Sequence, residues 1–258
     1  HYSYVIHAAA LVGHLDSMKG GTWAKENEEF INTLVRDVAN PSEKDEFFPV
    51  FRLFDWFQGH SWAHGITGVP DGKDLESTSE DVHFSYAMKL WGKVIGDKSM
   101  EARGDLMLKI QTESFGEYFL YEDDNKVVPL ELLRNKVTGI FFENKIDYAT
   151  WFGSRPEYIH GIQMIPVTPA LGLVRSATFA QQEWSQILDK IVYEKVDLPW
   201  KGILNANRVL FDPSASWNYF ANPNFNYLSD MDGGQSRAWA LAYAAPFMNQ
   251  EMTVPISR

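Results

Sequence analysis

The sequence predicts a mainly α fold of paired helices, an α-α bundle or toroid. Three observations predict it. Apolar residues recur at helical spacing through most of the longer segments. No strand–helix–strand alternation runs along the chain. The stretches between the helical runs are rich in aromatics, glycines, asparagines and carboxylates, a composition that suits loops building a site. At 258 residues the chain can bury a substantial core and fits one domain. It shows no internal repeat and no low-complexity segment.

Residues 4–15 read as a helix in which Ile6, Ala9, Ala10 and Gly13 allow close packing. Gly20-Gly21-Thr22 breaks it, with Thr22 placed as the next N-cap. Residues 23–39 are expected to form one amphipathic helix. Phe30, Leu34, Val35 and Val38 lie inside it, and Glu26, Glu28, Glu29, Arg36 and Asp37 outside. Asn40-Pro41-Ser42 ends it, and 44–54 is a loop with apolar patches. Asp71-Gly72 is a turn pair, and Ser77-Thr78-Ser79-Glu80 matches a capping box. It opens a helix over 77–91 that carries Val82, Phe84, Ala87, Met88, Leu90 and Trp91, with Gly92 following. Ser99 opens a helix to about 121 with Met100, Leu106, Met107, Ile110 and Phe115 as its inner face. Glu122-Asp123-Asp124-Asn125 is a solvated acidic turn, lacking the glycine and distal Glu of a calcium loop. Aromatic and β-branched residues concentrate over 137–152 and predict short strands or an extended loop. A short helix over 158–165 is stopped by Pro166 and Pro169. Residues 179–196 read as a long helix with Trp184, Ile187, Leu188, Ile191 and Val192 inside. A helix over 200–210, a loop over 212–232 and a small-residue helix over 235–247 complete the chain.

Composition removes several functions. A net charge of −11 argues against binding a phosphate backbone and suits a neutral polymer substrate. The absence of cysteine excludes a disulfide framework, a thiolate metal site and a cysteine nucleophile. No apolar run approaches the length of a membrane span. There is no Gly-x-Ser-x-Gly elbow, phosphate loop or dinucleotide fingerprint. Aromatic residues make up 14% of the chain and include nine tryptophans, an excess that stacking on carbohydrate would explain. The opening run His1-Tyr2-Ser3-Tyr4, with no start methionine, suggests a piece of something longer.

The densest chemistry lies between Phe54 and Gly92. Glu76 falls in the loop ahead of the capped helix and Glu80 in its first turn, so both can face one cleft near a positive helix end. They read as carboxylates for general acid/base work, or as a solvated Glu76 and a Glu80 that caps its own helix. Two Glu-x-x-His pairs, Glu80/His83 and Glu157/His160, allow a carboxylate-bridged metal protein. Pro156 and Pro166 cut the second of those helices short, and Gly59 and Gly65 flank His60 and His64, which weakens a zinc helix there. No metal or other cofactor is expected. Trp56, Trp62, Trp151, Trp217 and Tyr219 lie in non-periodic segments as sugar platforms or core, whereas Trp91 and Trp184 lie on helical stripes as core.

Four blocks then carry a family resemblance. They are His1-Tyr2-Ser3-Tyr4; Asp55-Trp56-Phe57-Gln58-Gly59-His60-Ser61-Trp62-Ala63; Asp71-Gly72-Lys73 with Glu76-Ser77-Thr78-Ser79-Glu80; and Gly139-Ile140-Phe141-Phe142-Glu143-Asn144-Lys145. With Glu157-Tyr158-Ile159-His160-Gly161-Ile162 and Ser236-Arg237-Ala238-Trp239, they resemble glycoside hydrolase family 81, the endo-β-1,3-glucanases of fungi and some bacteria. The resemblance spans essentially the whole chain. It implies the C-terminal (α/α)6 barrel domain, over 1–258, without the family's N-terminal β-sandwich. It implies inverting hydrolysis of β-1,3-glucan, with Glu76 as general base and Glu80 as its partner. The general acid it implies is an Asp four residues ahead of the position of His1. Candidates for holding glucose units are His1, Asp55, His60, Trp62 and His160. A fragment that binds glucan without cleaving it is the alternative within the same resemblance. The preceding part of the same enzyme is an expected partner, nucleic acid and membrane are not, and an extracellular or cell-wall location follows from the family alone.

Overall fold

The computed structural model describes residues 1–194 and 200–248. The fold is mainly α. The helices are α1 (Tyr2–Ser17), α2 (Trp23–Glu26), α3 (Glu28–Ala39), α4 (Thr78–Ile95), α5 (Lys98–Tyr118), α6 (Leu130–Leu133) and α7 (Pro156–Gly161). They continue as α8 (Leu171–Val174), α9 (Ala177–Glu183), α10 (Asp189–Glu194), α11 (Trp200–Asn207), α12 (Pro213–Ala221), α13 (Tyr227–Asp230) and α14 (Arg237–Met248). A π-turn, Trp184–Leu188, joins α9 to α10. Short strands lie in the loops. β1 (Phe54–Asp55) and β2 (His60–Ser61) make a hairpin. β3 (Asp74–Leu75), β4 (Ile140–Phe142) and β5 (Ile146–Asp147) make an antiparallel sheet in that order.

α4 is the axis of the chain: it packs on α1 along one side and on α5 along another. Ile6, Ala10, Ile31, Val35, Met88, Trp91 and Met107 fill the space between α1, α3, α4 and α5. A second cluster, with Leu75, Val82, Phe115, Phe119, Val137, Ile159 and Phe179, welds the three-stranded sheet to α4, α5, α7 and α9. The first residues of α4 are therefore held from both sides, and the strand that leads into them is buried.

The predicted helix over 23–39 is two helices, broken at Asn27, whose φ of −108° and ψ of 4° are not helical. Thr22 stands at the N-cap of α2 as expected, but its hydroxyl turns to Glu26, and Asp16 Oδ2 accepts the Trp23 N–H at 2.9 Å in its place. Phe30 is 62% exposed and Ile31 takes the inward place. Gly92 does not end its helix, which runs on to Gly96 at φ 79°. The cap of α5 is Asp97, not Ser99, and Leu106 faces solvent. The expected loop over 212–232 holds α12 and α13: Asp212 caps α12 by accepting the Ala215 N–H, with Pro213 in its first turn, and Asn226 caps α13. The expected end of the helix over 179–196, from 195, lies outside the described residues. The helix expected from Tyr158 begins at Pro156 and ends at Gly161.

Candidate active site

The site is built where β3 passes into α4. Asp74 and Leu75 pair with β4 and are buried, so the chain has one free step, Glu76, before Ser77 caps the helix. Ser77 Oγ accepts the Glu80 N–H at 3.2 Å and donates to the carbonyl of Ile162 at 2.7 Å. The capping box is thus half made. The Glu80 carboxylate does not return to the cap; it accepts from the Tyr4 hydroxyl at 2.8 Å and lies 3.4 Å from His1 Nε2. Glu80 joins the start of α1 to the start of α4.

Glu76 is half-buried. Its Oε1 accepts the backbone N–H of Trp151 at 2.8 Å, and its Oε2 makes no hydrogen bond among the described residues. Burial raises its pKa; the Trp151 N–H opposes the rise, and the Glu80 and Asp74 charges add to it. Asp74 is 2% exposed and is spent on both sides. Its Oδ1 bonds His64 Nδ1 at 2.8 Å, and its Oδ2 accepts from the Trp151 indole at 3.2 Å. Trp151 is consequently fixed at two points, one on each acid, while the residue as a whole stays 57% exposed.

Of the sequence-predicted residues, His1, Glu76 and Glu80 come together. His60, Trp62 and His160 are buried and present no surface beside them, and Asp55, part-exposed, is bonded within its own hairpin. His60 and Trp62 are buried, 4.5 Å apart between ring centroids, with Phe119 and Phe141 around the imidazole. Burial lowers the His60 pKa. Asp55 accepts the Trp62 indole at 3.0 Å and the Phe57 and Gln58 N–H groups, so it ties the β1–β2 hairpin together. Burial pushes its carboxyl up, but these bonds outweigh that and hold it below the usual range. His160 is fully buried, bonding Tyr148 through Nε2 at 3.0 Å and Glu183 through Nδ1 at 2.7 Å. Glu183 in turn pairs with Arg175, also buried. Of the aromatic candidates, Trp56 is 41% exposed and Trp151 more so, while Trp217 packs on Val209, Tyr243 and Ala244. Trp91 and Trp184 are core, as the helical stripes predict.

The paired Glu and His residues go separate ways. His83 Nδ1 bonds Ser3, whereas Glu80 bonds Tyr4; His160 bonds Glu183, and Glu157 is paired with Arg155. Among the described residues no group of three His, Asp or Glu side chains is arranged to hold a metal ion. Sequence reasoning missed Tyr4, Asp74 and Gln163 as parts of this site. The signal for Tyr4 was present: three residues after His1, it shares the His1 face of α1. Gln163 carried none, because its partners lie more than eighty residues away.

Comparison with known proteins identifies the family and the fold. A family profile described as the glycosyl hydrolase family 81 C-terminal domain matches residues 1–241. A glucan endo-1,3-β-D-glucosidase of Arthroderma benhamiae is 51% identical over 95% of this chain and 27% of its own length. Glucan endo-1,3-β-D-glucosidase 2 of Saccharomyces cerevisiae is 45% identical over 96% of this chain and 32% of its own. The primary septum glucan endo-1,3-β-D-glucosidase of Schizosaccharomyces pombe is 44% identical over 100% of this chain and 25% of its own. The chain therefore spans about a quarter to a third of the length of these relatives. A solved family 81 glycoside hydrolase from Clostridium thermocellum has the same fold, with a TM-score of 0.80 over 96% of this chain and 33% of that one at 24% identity. The expected α/α-barrel architecture thus holds. Matched from its first residue to Leu241, the chain belongs to glycosyl hydrolase family 81 and carries that family's C-terminal domain.

Proposed function

We propose that this chain is the helical catalytic domain of an inverting endo-β-1,3-glucanase in which Glu76 is the general base. The Glu76 carboxylate carries the reading. One oxygen is held by the N–H of Trp151, itself largely exposed, and the other makes no hydrogen bond among the described residues. A base that activates water needs that combination: a fixed orientation and a free lone pair. Burial and the neighbouring carboxylates raise its pKa, which strengthens it as a base near neutral pH. The Trp151 ring supplies an apolar face for a glucose unit, with polar groups around it. Glu80, held by Tyr4 and His1, orients the water or the sugar hydroxyls next to it. Asp55, His60 and Trp62 brace the β1–β2 hairpin, and His160 ties α7 to α9.

Inversion also needs an acid roughly 6.5–9.5 Å from the base, on the other side of the scissile bond. The proposed acid is an Asp four residues ahead of His1. His1, at the N-cap of α1, lies 3.4 Å from Glu80, so the chain at this point runs beside the two carboxylates. The names of the relatives motivate the substrate, a β-1,3-glucan, and the proposed location at the cell wall or outside the cell. Among the described residues no helix is long and apolar enough to cross a membrane.

The test is Glu76→Gln in a protein that includes the residues preceding His1. Reducing-sugar release from laminarin is expected to fall about 10²–10⁴-fold, with laminarin binding by calorimetry retained. A variant that still turns over laminarin overturns the assignment. An unaltered protein that binds laminarin and releases no sugar establishes the glucan-binding alternative instead.

A further inference from the structure

The polar groups between Glu76 and Ser79 are bonded across the molecule to the stretch from Ile162 to Ile165. Ser77 Oγ and Ser79 Oγ reach the Ile162 carbonyl, and Ser79 Oγ also reaches the Ile165 carbonyl at 2.5 Å. Gln163 makes the largest share. Its Oε1 accepts both the Thr78 N–H at 2.9 Å and the Thr78 hydroxyl at 2.7 Å, and its Nε2 donates to the Glu76 carbonyl at 2.5 Å. The side chain is 2% exposed. Both acceptor positions of its carbonyl oxygen are filled, and its NH2 is aimed at the backbone of the proposed base. Behind it the buried Arg175 donates to the Gln163 backbone carbonyl and pairs with Glu183.

We infer that Gln163 is a positioning residue for Glu76: its amide clamps the β3–α4 junction on both sides of the cap and so aims the Glu76 carboxylate. The inference rests on Glu76 being the base. Gln163 does not touch the carboxylate. It holds the carbonyl of the same residue and the N–H two residues on, which fixes the Cα–Cβ direction from which the Glu76 side chain reaches the Trp151 N–H. Hydrocarbon at 163 would leave the Thr78 N–H and hydroxyl and the Glu76 carbonyl unpaired in a buried place, and the junction would move to recover partners. The titratable groups that face Glu76 are Asp74 on β3, bonded to His64, and Glu80 on α4, bonded to Tyr4 and His1. Gln163 bonds none of them, so a change in Glu76 on altering Gln163 reports geometry.

Two readouts test this. In laminarin hydrolysis by the form that carries the residues before His1, Gln163→Met is expected to lower kcat about 10–100-fold, with KM within about threefold of the parent. In this chain itself, 13Cδ-glutamate labelling follows the Glu76 carboxyl through a pH titration, with its signal assigned by its loss in Glu76→Gln. Gln163→Met is expected to move that titration to higher pH, because a loosened junction weakens the Trp151 hydrogen bond that opposes the rise. Thr78→Val removes one of the three bonds and is expected to give a smaller change in the same direction. Gln163→Glu keeps the acceptor and places an oxygen against the Glu76 carbonyl, so it too is expected to lose kcat. A purely structural role would lower Tm and leave kcat per folded molecule and the titration unchanged; that result in Gln163→Met overturns the inference. If Gln163→Met does not fold, parental behaviour in both Thr78→Val and Gln163→Glu overturns it. Turnover by Glu76→Gln would instead remove the base assignment, while the titration would still report whether Gln163 aims the carboxylate.

Discussion

Glu76 and Glu80 stand four residues apart and differ in what surrounds them. Glu80 is occupied by the start of α1, and Glu76 is half-buried with one oxygen open. The raised pKa of Glu76 has a stability consequence of definite sign. Its folded pKa lies above that of an unfolded glutamate, so the native state binds this proton more tightly than the unfolded chain. Stability from this group is fully present below the unfolded pKa and is lost as pH rises through the folded one. Glu76→Gln removes that loss. Its Tm is expected to match the parent near about pH 4 and to exceed it near about pH 7, which thermal melts at the two pH values will check. Asp74→Asn removes one of the charges that raise Glu76, so the acid limb of the laminarin pH–rate profile is expected to move to lower pH. An upward or absent shift would show that Asp74 does not act on the base through its charge. Burial is the larger cause of the rise, so the shift is partial.

The α4–α5 pair shows what an element requires of its glycines. A Cβ on Gly92 would lie 2.6 Å from the Glu101 nitrogen, and one on Gly104 would lie 2.7 Å from the Lys89 nitrogen. Each glycine lets the other helix's backbone come close, which is why Gly92 sits inside α4 instead of ending it. Gly116, also in α5, has nothing within 4 Å of an added Cβ and is exposed. Gly104→Ala is expected to cost about 1–3 kcal/mol through overpacking. Gly116→Ala is expected to gain about 0.5–1 kcal/mol by restricting the unfolded chain and favouring the helix. Urea unfolding of the two variants distinguishes a packing glycine from a merely flexible one by opposite signs. A sequence window sees the same residue in both places, because the neighbour that decides the sign belongs to another helix.

Across the molecule, the buried His160, Glu183, Arg175 and Asn207, with the half-buried Tyr148 at one end, form one polar chain that joins α7, α9 and α11. Burial pushes the Glu183 carboxyl up, but the charge of Arg175 and the hydrogen bond from His160 outweigh it and hold its pKa below the ordinary value. Burial likewise pushes the Tyr148 phenol up to about 12, with the Glu183 charge adding to it. The depressed Glu183 contributes stability above the unfolded carboxylate pKa and loses it as pH falls through the folded one, so it is one source of acid unfolding. Arg175→Met leaves the Glu183 charge buried without its main partner and is expected to cost about 3–5 kcal/mol at neutral pH, read by denaturant unfolding. A cost near zero would mean that His160 alone satisfies the carboxylate.

The sequence by itself determined the mainly α class, the position of α1, the start of α4 at Ser77, the non-helical, strand-prone character of 137–152 and the pairing of Glu76 with Glu80 in one stretch. Each of these rests on interactions within a few residues: helical periodicity, a side chain that bonds an N–H three residues on, β-branched enrichment. Tertiary structure decided the rest. It turned Glu80 away from its own cap toward Tyr4, because a hydroxyl from α1 stands within hydrogen-bond reach. It buried His60, Trp62 and His160, which the same residue types in an exposed loop would have offered to a ligand. It also placed Trp151 and Gln163 on either side of Glu76, from positions 75 and 87 residues away. Hydrogen bonding and burial act through space, and no local pattern in the chain records which distant group will arrive.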